Sequence, residues 1–132
     1  MPEKIIIDVM RSQLGRARGT GAAGSGVHHW YAERITSIAL VPLTLWFIFA
    51  VLRLVGAPQE AVAEWAGHPV NATLLLALIG ITFHHMQLGL QVVYEDYIKV
   101  KWLKDTAILG TKAAALLLGL LSSVAVLKMA LA

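Results

Sequence analysis

The sequence predicts an all-α integral membrane protein with three transmembrane helices, and three observations lead there. Charged residues make up only 14% of the 132 residues, while hydrophobic residues reach 58% and the mean hydropathy is +0.69. A soluble domain usually carries about 25% charged residues. Three stretches approach the run of about 20 mostly apolar residues that crosses a hydrocarbon core. Basic residues flank these stretches, which fits membrane topology better than nucleic-acid binding, so lipid is the expected surrounding and no nucleic-acid partner is expected.

Composition narrows the chemistry. The chain has no cysteine, which excludes disulfides, thiolate metal sites and cysteine nucleophiles; a bound metal must use His, Met or carboxylate. The length suits one domain. The first long apolar run starts near Ile35, too far along for the apolar region of a signal peptide.

The first span runs from about Ile35 to Val55. Pro42 should kink it, and Arg53 at its far end can snorkel to the headgroups. The second span runs from about Val70 to Val93 and the third from about Thr106 to Leu131, with Lys112 and Lys128 near opposite ends of the third. Residues 1–34 form an N-terminal inner-side tail and interfacial segment, and 35–132 the three-helix anchor. Glycines between Gly15 and Gly26 suggest an irregular connector, and no internal repeat is present.

Lys and Arg set the orientation. Lys4, Arg11, Arg16 and Arg18 lie in the tail, and Lys99, Lys101 and Lys104 follow the second span. The loop between the first two spans has Glu60 and Glu64 but no Lys or Arg. The tail and the second loop are therefore expected inside, and the C-terminus outside. Trp30, Tyr31, Trp65 and Trp102 suit the two interfaces, because one end of each ring is apolar and the other wet. The lack of an Arg- and Ser-rich transit peptide favours a bacterial inner membrane, with a cytoplasmic N-terminus, over a mitochondrial inner membrane.

A bare anchor would not need the polar residues of the second span: His84, His85, Gln87 and Gln91. Groups of this kind inside a bilayer are costly and usually face a bundle interior or a cofactor. At about 100° per residue, His85, Gly89, Val92 and Asp96 share one stripe, and His84, Gln87 and Gln91 share another beside Gly80. Gly89 removes bulk one turn from His85, where a flat macrocycle could lie, and neutral imidazole is a common axial ligand of haem. A hydrogen bond to a neighbouring helix is the competing role for either histidine. The adjacent pair does not converge on one ion, since the two side chains point about 100° apart.

Two further clusters lie at the inner side. Tyr94-Glu95-Asp96-Tyr97 closes the second span; a tyrosine hydroxyl there can donate to a quinone carbonyl, or simply mark the interface. Gly26 to Trp30, followed by Arg34-Ile35-Thr36, opens the first span. Arg34 can pair with carboxylates such as haem propionates, or serve as an inside anchor.

Together these clusters resemble the membrane-anchor D-chain family of succinate dehydrogenase, respiratory complex II. Two blocks carry the likeness: G-V-H-H-W-Y-A-E-R-I-T, Gly26 to Thr36, and H-M-Q-L-G-L-Q-V-V-Y-E-D-Y, His85 to Tyr97. In the second block Gly falls at +4, Gln at +6, Val at +7 and Asp-Tyr at +11 and +12 from His85. The signature of the sister C chain is not evident.

The resemblance implies the rest. The three helices would form half of a cytochrome b-type membrane-anchor bundle, completed by a cytochrome b556-type C chain. His85 would be an axial ligand of the haem b iron, shared with that C chain, and the spacing to Gly89 and Asp96-Tyr97 favours it over His84. Tyr97 would hydrogen-bond ubiquinone as substrate, with Asp96 beside it, and Arg34 and His28 would lie near the haem propionates or quinone pocket. FAD and iron–sulfur clusters would reside in the partner flavoprotein and iron–sulfur subunits, docked on the inner face. The chain would thus serve succinate:ubiquinone oxidoreductase, in electron transport and the tricarboxylic acid cycle, without catalytic residues or activity of its own. The anchor of a quinol:fumarate reductase, with ubiquinone replaced by menaquinone or not, is the near alternative. A non-redox membrane scaffold is the alternative of a different class.

Overall fold

The computed structural model describes residues 12–19 and 25–132. Lys4 and Arg11 of the tail and the short run Ile5-Ile6-Ile7 lie outside them. Five helices follow in order, and no strand occurs among the described residues.

Helix α1, Gln13–Arg18, is short and exposed. Ser12 caps it by accepting the Gly15 N–H on its Oγ at 3.0 Å, and Arg16 and Arg18 occupy the last turn, where cations complement the helix dipole. Part of the expected connector is therefore helical.

Helix α2, Ser25–Leu54, continues through Pro42. Its 30 residues span about 45 Å at the helical rise, which exceeds a hydrocarbon core of about 30 Å. The surplus lies at the N-terminal end, where Val27 to Arg34 extend the helix ahead of the apolar run. Gly56 stops it in the left-handed region at φ +79°, a conformation that costs glycine little.

Helix α3, Gln59–Gly67, occupies what the sequence suggested was a plain loop. Pro58 precedes it, and Glu60 sits in its first turn, where an acid favours the dipole. His68 closes α3 and opens α4: its N–H bonds to the carbonyls of Glu64 and Trp65, and Pro69 then takes the first helical position.

Helix α4, Pro69–Tyr97, and helix α5, Lys101–Leu131, are joined by residues 98–100 alone. Helices α2, α4 and α5 are each long and apolar enough to cross a membrane. Helix α4 stands between α2 and α5 and packs on both, while α3 lies across the C-terminal end of α5 and the N-terminal end of α4.

The apolar core gathers at the α3 end. Ala66, Ala72, Leu75 and Val126 are buried there, with Trp46, Trp65 and Ile79 packed against them. Trp46 of α2 stacks on Trp65 of α3, ring centroids 5.8 Å apart. Gly67 lets α3 approach α5 closely, since a Cβ at this position would stand 2.7 Å from the Met129 carbonyl oxygen. Lipid tails are as apolar as leucine, so this association rests on close packing and interhelical hydrogen bonds rather than on water exclusion.

Candidate haem and quinone site

The Tyr97 half of the bundle is held by polar contacts. His85 of α4 faces α2, and its Nδ1 lies 2.8 Å from Thr36 Oγ1. The Thr36 hydroxyl has one proton and also lies 2.7 Å from the Ala32 carbonyl oxygen and 3.0 Å from that of Glu33. A β-branched hydroxyl in a helix donates readily to such carbonyls. With its proton so used, the oxygen accepts from His85 Nδ1–H. We therefore assign the proton of neutral His85 to Nδ1, which leaves the Nε2 lone pair free. Among the described residues no hydrogen bond engages Nε2.

A histidine that ligates a metal typically donates its other ring N–H to an oxygen of the protein, which fixes the tautomer and the ring plane. Thr36 does this for His85. Gly89 lies one turn further along α4, and a Cβ built there meets nothing within 4 Å. The donor set and the space beside it thus fit a haem edge on the His85 stripe. No cluster of three or more His, Asp or Glu able to hold a metal ion occurs among the described residues. A single axial imidazole needs no such cluster.

His84 points elsewhere. It lines a groove between α4 and α5, with Gln87 and Lys112. Gln87 is only 8% exposed, and its Nε2 donates to Gln91 Oε1 at 3.1 Å. Gln91 Nε2 donates in turn to Glu95 Oε1 at 2.9 Å. This amide ladder climbs one face of α4 toward its C-terminal end, away from the His85 stripe.

Tyr97 ends α4 and is 80% exposed, so its hydroxyl is open to a ligand or a partner chain. Asp96 is exposed beside it, and its backbone carbonyl accepts from Lys99 Nζ at 3.2 Å. Tyr94 instead turns toward α5, where its hydroxyl accepts from Thr111 Oγ1 at 3.0 Å. Eleven residues separate His85 from Asp96, about 16 Å along the helix. Haem and quinone contacts of this chain would therefore occupy different depths.

The structure does not gather Arg34 and His28 around His85. Arg34 is exposed, with its guanidinium 5.5 Å from the Trp30 ring centre, a cation–π contact. Arg34 also lies about 160° around α2 from Thr36 at the helical step. His28 is exposed as well, whereas its neighbour His29 shares the Thr36 face, two turns toward the N-terminal end of α2. The Nε2 atom of His29 is buried without a hydrogen-bond partner among the described residues. Sequence reasoning missed the contribution of Thr36, although it stands in the quoted R-I-T, and missed His29.

Comparison with known proteins identifies the family. The model of the succinate dehydrogenase/fumarate reductase transmembrane subunit matches residues 8–126. The chain belongs to this family. Among relatives, a succinate dehydrogenase hydrophobic membrane anchor subunit of Rickettsia bellii is 36% identical over 107 residues, covering 81% of this chain and 86% of its own. A subunit of the same description from Rickettsia conorii is 33% identical over 75% of this chain and 79% of its own. One from Paracoccus denitrificans is 27% identical over 84% and 79%. No solved structure matches. The expected resemblance is thus borne out, as are the all-helical class and the three spans. These relatives are bacterial membrane subunits, and the family is a component of a larger enzyme.

Proposed function

We propose that the chain anchors a succinate:quinone oxidoreductase in the membrane, supplies one haem b ligand through His85 and contacts the quinone headgroup through Tyr97. The observation that carries this reading is the 2.8 Å bond between His85 Nδ1 and Thr36, which leaves Nε2 as a lone-pair donor. The family covers enzymes running in either direction, and the names of the relatives favour succinate oxidation over fumarate reduction.

A bound haem b would supply a one-electron site of tunable potential. The chain's residues do the rest. Thr36 holds the imidazole plane, and Gly89 keeps its side of α4 flat. A cytochrome b-type C chain is the partner that would bring the second axial ligand.

At the inner end, the Tyr97 hydroxyl donates a hydrogen bond to a quinone carbonyl oxygen and so fixes the ring's orientation. The Asp96 carboxyl, adjacent and exposed, takes up protons from water and passes them toward the quinone oxygens, which gain two protons with the two electrons of reduction. Flavoprotein and iron–sulfur subunits dock on this face. Arg16, Arg18, Lys99, Lys101 and Lys104 support placing it on the cytoplasmic side, opposite the Glu60- and Glu64-bearing α3. The chain has no succinate site and no activity alone.

A reduced-minus-oxidised absorbance spectrum of the purified complex tests the reading, wild type beside His85→Ala. Loss or displacement of a b-type band in the variant is the expected result. An unchanged band would move the ligand to His84 or to another chain, and no band in the wild type would remove haem from the function.

A further inference from the structure

The last turn of α4 carries Asp96 and Tyr97, and few contacts hold it. Glu95, Asp96 and Tyr97 are all exposed. Glu95 bonds back along its own helix to Gln91, and Lys99 reaches only the backbone carbonyl of Asp96. Helix ends fray where nothing outside the helix ties them down.

Tyr94 supplies the tie. Its hydroxyl accepts from Thr111 Oγ1 of α5 at 3.0 Å, and its backbone carbonyl accepts the Ile98 N–H, also at 3.0 Å. One residue thus closes the helix and fastens it to its neighbour. Among the described residues, this is the one side-chain hydrogen bond that joins α4 to α5.

The donor behaves unlike other hydroxyls of this chain. Ser37, Thr73, Thr106 and Ser122 each donate to the carbonyl four residues before them, a common fate of a hydroxyl within a helix. Thr111 spends its proton across the helix pair instead. Lipid tails compete with apolar helix contacts, so close packing and bonds of this kind fix how one helix sits on another. With Tyr94 held against α5, Tyr97 stands about 60° around the axis of α4 and Asp96 about 160°. A last turn that unwound would displace both.

We infer that Thr111 is a positioning residue for the quinone contact: through Tyr94 it holds the last turn of α4, so that the Tyr97 hydroxyl and the Asp96 carboxyl keep their places. The inference rests on the role proposed above for Tyr97. Thr111 needs no contact with the quinone. A turn in place only part of the time lowers apparent affinity by that fraction and leaves the bound complex to react as before. A neutral hydrogen bond shifts such an equilibrium on the order of fivefold.

The test uses the purified complex and a short-chain ubiquinone. Thr111→Val should raise the quinone KM about fivefold and leave kcat unchanged, and Thr111→Ser, which keeps the hydroxyl, should behave as wild type. Tyr94→Phe should give the same shift, and adding Thr111→Val to it should change nothing more, because both remove one bond. Amide hydrogen exchange at residues 95–98 should quicken in Thr111→Val and not in Thr111→Ser. Unchanged exchange, additive effects of the two variants, or a fall in kcat at constant KM would each overturn the inference. Tyr97→Phe, measured alongside, separates the two claims: wild-type kinetics in that variant would remove the quinone reading, while the exchange rates would still decide whether the bond holds the turn.

Discussion

The two ends of this small bundle are built on different chemistry. The α3 end is closed by its own chain: α3 folds back, Trp65 stacks on Trp46, and Ala66, Ala72, Leu75 and Val126 pack into a core. The Tyr97 end carries His85 on Thr36, exposed Asp96 and Tyr97, and an arginine resting on a surface tryptophan. Apolar packing that satisfies itself needs no partner. Polar groups left half-paired at membrane depth do, because each unpaired group is expensive there. Under the proposed function, the difference assigns stability of the chain to one end and assembly and electron transfer to the other.

Three substitutions sharpen or break that division. The largest effect is expected at Tyr97. Tyr97→Phe should lower quinone reductase activity about 100-fold, a size typical of losing a group that handles or orients a proton. Reduction of an artificial dye by the soluble subunits should persist. Equal losses in both assays would make Tyr97 a docking residue instead.

Next comes Thr36→Val, nearly isosteric, which removes the acceptor from His85 Nδ1. Loss of such a supporting contact lowers metal affinity by about 10–100-fold. Haem occupancy measured by the pyridine haemochrome assay should fall, while the circular dichroism of the helices stays constant. Full occupancy would mean that the imidazole is held by other contacts.

The smallest effect is expected at the α3 end. Gly67→Ala puts a Cβ 2.7 Å from the Met129 carbonyl oxygen, and relief of that overlap should cost about 1–3 kcal/mol. Thermal unfolding of the detergent-solubilised complex should begin at lower temperature, with the b-type spectrum unchanged before unfolding. A changed spectrum would show that the two ends are mechanically linked.

The spans were legible because long apolar runs leave little choice of structure in lipid. Their ends were not, since α2 and α4 continue as helix into polar sequence at the interface, where hydropathy no longer distinguishes helix from loop. Helix α3 was hidden for a related reason. Its nine residues are too few to be stable alone, and contact with α5 through Ala66 and Gly67 makes it a helix. The His85 stripe could be read from spacing within one helix. Its partner Thr36 could not, because 49 residues separate them and the periodicity of neither helix encodes the register between the two. His29 stayed out of sight behind the motif position of His28, although two turns of α2 place it on the Thr36 face.

The turn between α4 and α5 is only residues 98–100 long. With α4 also packed against α2, each helix has as its main neighbour one adjacent to it among the spans. During synthesis, the second and third spans therefore each meet a packing partner already in the bilayer, and only the short α3 must wait for α5. The order of the helices along the chain is also a workable order of construction.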